Sequence, residues 1–212
     1  DAQIGRVLAE LERTGMADNT ILVFTADHGN MLGDHGRWFK GLMYEGSVRV
    51  PLLWRGPKGA LENTGSVHNE LIENIDVMPS LLESIGVPVP DGVQGRSFLR
   101  LARGESPGWK NRCYSQLWTG MIRTPEWKFI DKSRNLSGPL ELYRMTEDPH
   151  ESRNLAGESK YRSVVADFKR ELTAWRANKP APVRIKGMPL PGYATISNEE
   201  REELLRTAPG RR

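Results

Sequence analysis

The stretch Ile21-Leu22-Val23-Phe24-Thr25-Ala26-Asp27-His28-Gly29 joins an uninterrupted apolar run to a short polar turn. The run has no polar alternation, so it reads as a β-strand buried on both faces, the pattern of a strand inside an α/β sheet. Upstream, Ile4, Val7, Leu8 and Leu11 fall at i, i+3, i+4 and i+7, one face of a helix, and Gly15 suits the left-handed position that ends it. Helix followed by buried strand predicts an α/β fold. Ligands of open α/β sheets sit outside the carboxyl ends of the strands, which is where Asp27 and His28 stand. A carboxylate and an imidazole on a Gly-ended turn can share one divalent cation, or they can form an Asx-type turn with an incidental histidine. The dipeptide by itself leaves both open.

The next segment, Leu32-Gly33-Asp34-His35-Gly36-Arg37-Trp38-Phe39-Lys40-Gly41-Leu42-Met43-Tyr44-Glu45-Gly46, has too many glycines for a regular element and suits an active-site loop. Lys40, among apolar neighbours, is either a point charge that holds a tetrahedral anion or an ordinary solvated lysine.

Outward from this centre the chain keeps alternating. Val50-Pro51-Leu52-Leu53-Trp54 reads as a second strand with Pro51 near its start, and Asp76 can cap a helix through Val77, Met78, Leu81, Leu82 and Ile85 that Gly86 and Pro88 stop. Arg103-Gly104-Glu105-Ser106-Pro107-Gly108 is a breaker-rich connector. Beyond it, short strand-like runs at Tyr114 to Trp118, Met121 to Arg123, Trp127 to Ile130 and Leu140 to Tyr143 predict a small antiparallel sheet. Tyr161, Val164, Val165, Phe168, Leu172 and Trp175 trace a helical stripe expected to pack on that sheet. The expected organisation is an α/β part over residues 1–102 and a sheet-plus-helix subdomain over 109–178. A Pro-rich tail over 179–212 follows, with a capping-box pattern at Ser197-Asn198-Glu199-Glu200.

Bulk properties narrow the function classes. At 212 residues with 38% hydrophobic and 27% charged residues, the chain can build a globular core. The net charge of +3 is spread over 30 basic and 27 acidic residues without a basic block, which argues against nucleic acid as a partner. No apolar run reaches the ~20 residues that span a bilayer. The single cysteine, Cys113, excludes a disulfide framework and a thiolate zinc cluster, and reads as a small buried strand residue. The chain opens without Met, already in helical rhythm, and is expected to be a piece of a longer sequence.

Taken together, Asp27-His28-Gly29, Leu32-Gly33-Asp34-His35-Gly36, Lys40, Tyr44-Glu45 and Arg49-Val50-Pro51 resemble, in order and spacing, the second metal-binding segment of sulfatases of the alkaline phosphatase superfamily. Ile75-Asp76-Val77-Met78-Pro79-Ser80-Leu81-Leu82, Gly95-Arg96-Ser97, Glu141-Leu142-Tyr143, Glu147-Asp148-Pro149-His150-Glu151 and Asn154-Leu155-Ala156 resemble later motifs of the same family, although Arg144 stands where relatives often have Asp. The resemblance covers roughly residues 1 to 177. It implies the C-terminal part of a mixed-sheet α/β domain followed by a small antiparallel sheet with a packing helix. It further implies hydrolysis of a sulfate ester to an alcohol and sulfate, with a sulfated small molecule or glycan as substrate. Asp27 and His28 would ligate a calcium ion, with Mg2+, Zn2+ or Mn2+ as alternatives. Lys40 would contact the sulfate, and His35 would take a substrate-side or acid–base role. Many members have Asn where His28 stands, and imidazole is a softer ligand than calcium prefers. Glu45 and Arg49 are expected to anchor the loop. A periplasmic or extracellular location is what the family favours.

The family's nucleophile, a formylglycine made in a Cys/Ser-x-Pro-x-Arg motif, has no counterpart in these residues; Cys113-Tyr114-Ser115-Gln116 lacks the Pro and Arg. The expected partner is therefore an N-terminal half of the same protein, without which the chain is expected to be inactive. Two other readings compete. One is a metal-dependent phosphodiesterase or phosphonate hydrolase of the same superfamily, for which the imidazole of His28 speaks. The other is a non-catalytic module that binds anions through Lys40.

Overall fold

A computed structural model describes residues 1–57, 65–105, 108–133 and 138–178. Helix α1, Ala2–Arg13, follows the predicted stripe. It closes in a Schellman motif: Met16 N–H donates to Leu11 O and Gly15 N–H to Glu12 O, with Gly15 at φ 69°. Strand β1, Leu22–Thr25, pairs antiparallel with β2, Leu52–Arg55, in the register Leu22↔Arg55 to Thr25↔Leu52.

The two-faced burial expected of Ile21 to Phe24 is not found. Leu22 and Val23 are half-buried, whereas Phe24 and Thr25 are exposed, and α1 buries none of its residues. The apolar run encodes a strand whose faces the described residues do not both cover. Between the two strands lies α2, Glu45–Val48, a single helical turn.

Helix α3, Val77–Ser84, forms where the stripe predicted, but Asp76 does not cap it through its side chain. Asp76 is buried, and its carboxylate accepts Glu73 N–H at 3.0 Å and Arg96 N–H at 2.7 Å, so it ties the helix entry to the turn at Arg96 instead. A short helix α4, Leu99–Ala102, buries Leu99 and Leu101.

The four expected strands form β3, Cys113–Gln116, β4, Gly120–Arg123, β5, Trp127–Asp131, and β6, Leu140–Arg144, an antiparallel sheet in the order β3-β4-β5-β6. Alternation along the strands separates two faces. One presents Ile122, Phe129 and Leu142, which pack under Phe168 and Leu172 of α5, Arg162–Ala177. The other presents Met121, Ile130 and Tyr143, which pack with Met31, Met43 and Tyr44. The sheet thus lies between its own helix and the loop that follows β1. Residues 1–178 form one compact unit by their contacts. The tail 179–212, with its capping-box pattern, lies outside the described residues, as do Ser106 and Pro107 of the connector.

Candidate active site

Strand β1 ends two residues before Asp27, so the carboxylate emerges at the strand's C-terminal edge. Its turn is built by local bonds. His28 N–H donates to Asp27 Oδ1 at 2.9 Å, and the Asn74 side-chain amide donates to Ala26 O at 3.0 Å and Asp27 O at 3.4 Å. Gly29 N–H donates to Ser47 O at 2.8 Å, and a Cβ at Gly29 would collide with Gly46 O. Glycine is therefore required there because α2 packs against the turn backbone to backbone.

The loop then folds back on itself. Met31 N–H donates to Phe39 O and Gly33 N–H to Arg37 O, which returns Lys40 to the start of the loop. There Lys40 Nζ lies 2.6 Å from His28 Nε2. His28 Nδ1 is 2.9 Å from Gly29 O, a pure acceptor, which assigns the ring proton to Nδ1 and leaves the Nε2 lone pair for Lys40. Asp27 Oδ2 lies 3.3 Å from the same Nε2. The three residues singled out in the sequence therefore converge on His28 Nε2: one carboxylate oxygen and one ammonium each lie within contact of that imidazole nitrogen.

The side chain of Asp27 is 85% exposed and that of His28 31%, so the cluster faces open space. It lies on the wall of a cavity of about 1760 Å³, which also has Trp54, Tyr114 and Arg123 on its walls. That volume exceeds the ~300–1,000 Å³ of small-molecule pockets and marks a broad groove.

His35 does not line this groove. Its backbone is left-handed, at φ 52°, and its ring stacks on Tyr44 with centroids 3.9 Å apart and planes 5° from parallel. Tyr44 is pinned from the second sheet: its hydroxyl donates to Glu141 Oε1 at 3.2 Å and accepts from Lys132 Nζ at 2.9 Å. Burial lowers the Lys132 pKa, but the bonds to Glu141 and Tyr44 outweigh it and hold the ammonium above its ordinary value. Tyr44 was read in the sequence only as part of a motif. Its role as the platform for His35 has no signal there, because the hydroxyl's partners are about a hundred residues away.

Asp27 Oδ2 and His28 Nε2 are close enough to serve one cation as neighbouring ligands, provided that Lys40 turns away from the Nε2 lone pair it faces here. Among the described residues no cluster of three or more His, Cys, Asp or Glu forms a metal site, so this pair fits part of a coordination shell. Cys113 is a buried β3 residue whose thiol burial and the nearby Glu73 and Asp76 push up to about 12, which keeps it protonated and inert. Among the described residues no helix is long and apolar enough to cross a membrane.

Comparison with known proteins bears on this geometry. Residues 33–178 match the family described as N-sulphoglucosamine sulphohydrolase, C-terminal. An arylsulfatase of Clostridium perfringens is 34% identical over 178 residues, covering 81% of this chain and 36% of that protein. A solved structure, described as a complex of a protein with its substrate D-glucosamine-2-N,6-O-disulfate, superposes with a TM-score of 0.75 at 31% identity, covering 84% of this chain and 39% of that one. The phosphonate monoester hydrolase of Agrobacterium radiobacter superposes with a TM-score of 0.73 at 26% identity, over 84% of this chain and 39% of that one. The chain spans about a third of the length of the curated relatives it matches. With the alkaline-phosphatase-like mixed α/β fold, the order of motifs around Asp27, His28 and Lys40, and a family match over most of its length, the chain belongs to the sulfatase family.

Proposed function

We propose that this chain supplies the charge-stabilising part of a sulfuric ester hydrolase that cleaves sulfate from a glycan or a small sulfated molecule. The observation that carries the reading is the convergence of Asp27, His28 and Lys40 on one groove wall. Asp27 and His28 hold a divalent cation, calcium by preference, with the carboxylate as the hard ligand and the imidazole as the softer one. When bound, that cation supplies positive charge to the sulfate oxygens. Lys40 donates to the same oxygens and stabilises their charge while the nucleophile oxygen, supplied from outside these residues, bonds to sulfur, the ester S–O bond breaks and the alcohol departs after taking up a proton on its oxygen. Asn74 and α2 keep the Asp27 turn rigid, so little reorganisation accompanies the step. His35 stacks on Tyr44 off the groove wall formed by these residues, so its substrate-side or acid–base role belongs to the site as completed by the rest of the protein.

The nucleophile is assigned to a formylglycine in a portion of the protein outside these residues. The exposed apolar side chains of Ile4, Val7, Phe24 and Leu53 support such a partner, because a further portion of the same polypeptide can cover them. The substrate complex of the structural neighbour supports a sulfated sugar as the substrate class. The likeness to a phosphonate monoester hydrolase keeps one second reading, hydrolysis of a phosphonate or phosphate ester by the same residues.

Steady-state hydrolysis of 4-nitrophenyl sulfate and of an aryl phosphonate monoester by the full-length protein, with metal content measured on the same sample, separates these readings. Preferred turnover of the sulfate with bound calcium is expected; preferred phosphonate turnover with zinc or manganese would replace the sulfatase reading by the second one. The 212-residue chain alone is expected to turn over neither ester, and turnover by it would remove the need for a nucleophile from elsewhere.

A further inference from the structure

The candidate site rests on the second sheet through the apolar packing of Met31, Met43 and Tyr44 and through one short helix, and the contact of that helix is charged. Arg123 and Lys128 are register partners on β4 and β5, so two cations stand side by side on one face of the sheet. Like charges directly opposite are unfavourable unless anions meet them. Lys128 is moreover fully buried, and a buried ammonium persists only when it is paired.

Two carboxylates from elsewhere in the chain supply the pairing. Lys128 Nζ lies 2.9 Å from Glu45 Oε1 and 2.6 Å from Glu151 Oε1, and Arg123 Nε lies 3.6 Å from Glu45 Oε1. The cluster is neutral as a whole. Glu151 also accepts the Glu45 backbone N–H at 2.7 Å through its second oxygen. To do so it holds φ at 56°, a left-handed conformation that costs a residue with a Cβ some energy. A strained backbone is kept where the surrounding bonds over-determine it.

Glu45 opens α2, and α2 carries the Asp27 turn through the Gly29 to Ser47 hydrogen bond and the close approach of Gly29 to Gly46. A continuous path of bonded groups therefore runs from Lys128 through Glu45 and the α2 backbone to Gly29, and so to His28 and Asp27. We infer that Lys128, acting with Glu151, is a positioning residue for the site: it touches no reacting atom but fixes α2, and through α2 the placement of Asp27 and His28. The inference deepens the sulfatase reading, and its kinetic consequence rests on that reading; its structural consequence does not.

The test uses the full-length protein. Lys128→Met/Glu151→Gln removes one charge of each sign and leaves Arg123 paired with Glu45, so the variant is expected to fold. Leu172→Ala serves as control, since Leu172 is fully buried on the opposite face of the same sheet. Amide hydrogen exchange of peptides within 27–49 is expected to rise about tenfold or more in the double variant, with α5 unchanged. Its kcat for the sulfate ester is expected to fall about 10²-fold with KM nearly constant, as for a misplaced catalytic constellation. The control, compared at a temperature where both are folded, leaves the exchange of 27–49 and the kcat at wild-type values. Wild-type exchange of 27–49 in the double variant, or an equal rise in the control, would overturn the inference. Should the double variant not fold, Glu151→Gln alone is read by the same two measurements. If the wild type hydrolyses no sulfate ester, the functional reading fails while the exchange result still decides the positioning role.

Discussion

The β1–β2 pair and the β3–β6 sheet belong to one unit but are held together in different ways. In the sheet, Ile122, Phe129 and Leu142 are wholly buried beneath Leu172 of α5. In the pair, Phe24 is 39% exposed, Leu53 is 57% exposed, and the adjacent helix α1 buries nothing. The candidate chemistry sits on the weakly packed side. Its order comes from hydrogen bonds to α2 and Asn74, from buried ion pairs reaching across from the sheet and from Met31, Met43 and Tyr44 seated on the sheet's face, whereas the sheet is covered by apolar side chains on both faces. A glycine-rich loop with several residues at positive φ cannot build a core of its own, so it leans on a region that can.

This contrast can be broken most forcefully in the core. Leu172→Ala is expected to destabilise the chain by about 2–5 kcal/mol, the cost of a cavity in a fully buried site, whereas Phe24→Ala is expected to cost about 1 kcal/mol or less. Urea unfolding measures both. Equal losses would mean that the strand pair carries as much packing as the sheet.

The sheet's buried edge yields a second expectation, concerning reactivity. Because burial pushes the Cys113 thiol up to about 12, iodoacetamide at neutral pH should leave it unmodified in the folded chain and alkylate it at an ordinary rate in urea. Rapid labelling of the native protein, followed by mass spectrometry, would show that β3 opens readily and that the sheet is less secure than its packing implies.

A smaller effect concerns Glu73, which bridges the two regions. It helps build the turn before α3 and accepts the Tyr114 N–H of β3 at 2.7 Å. Burial, with the charge of Asp76 adding to it, raises its pKa above 4.5, against the lowering by Tyr114 N–H and Arg96. For a carboxyl with a raised folded-state value, the stabilising contribution is fully present below the unfolded pKa and is lost as pH rises through the folded one. The stability of the wild type relative to Glu73→Gln should therefore fall as pH rises from about 4 into the neutral range. Unfolding midpoints of the two proteins at pH 4 and pH 7 decide this, and a difference that moves the other way contradicts it.

Much of this architecture is written locally in the chain. Helix α1 with its Gly15 terminus, the four short strands and the stripe of α5 all announce themselves through periodicity and turn residues. Asp27, His28 and Lys40 were visible too, because a polar turn after an apolar strand and a Gly-rich loop are unusual textures. What local pattern could not carry was how faces are covered. The apolar run at Ile21 to Phe24 reads as doubly buried, yet burial depends on what packs against it. Nothing in the strand-like run Trp127 to Ile130 signals that Lys128 is buried, and only the fold brings Glu45 and Glu151 to it. Asp76 looks like a helix cap by position, but its carboxylate is drawn to the Arg96 amide twenty residues on. Each of these is a long-range pairing, which sequence spacing does not encode.

The most direct test of the account is the kcat of the full-length protein for a sulfate ester with Lys40 replaced by Ala, measured beside the unfolding midpoint of the same variant. Lys40 is exposed and, among the described residues, its side chain meets His28 at the surface, so stability should change by no more than about 0.5 kcal/mol. kcat should fall about 10²–10³-fold, the loss of one preorganised donor to the developing charge. Turnover unchanged in the variant would contradict the account, because the convergence of Asp27, His28 and Lys40 would then be an incidental surface cluster.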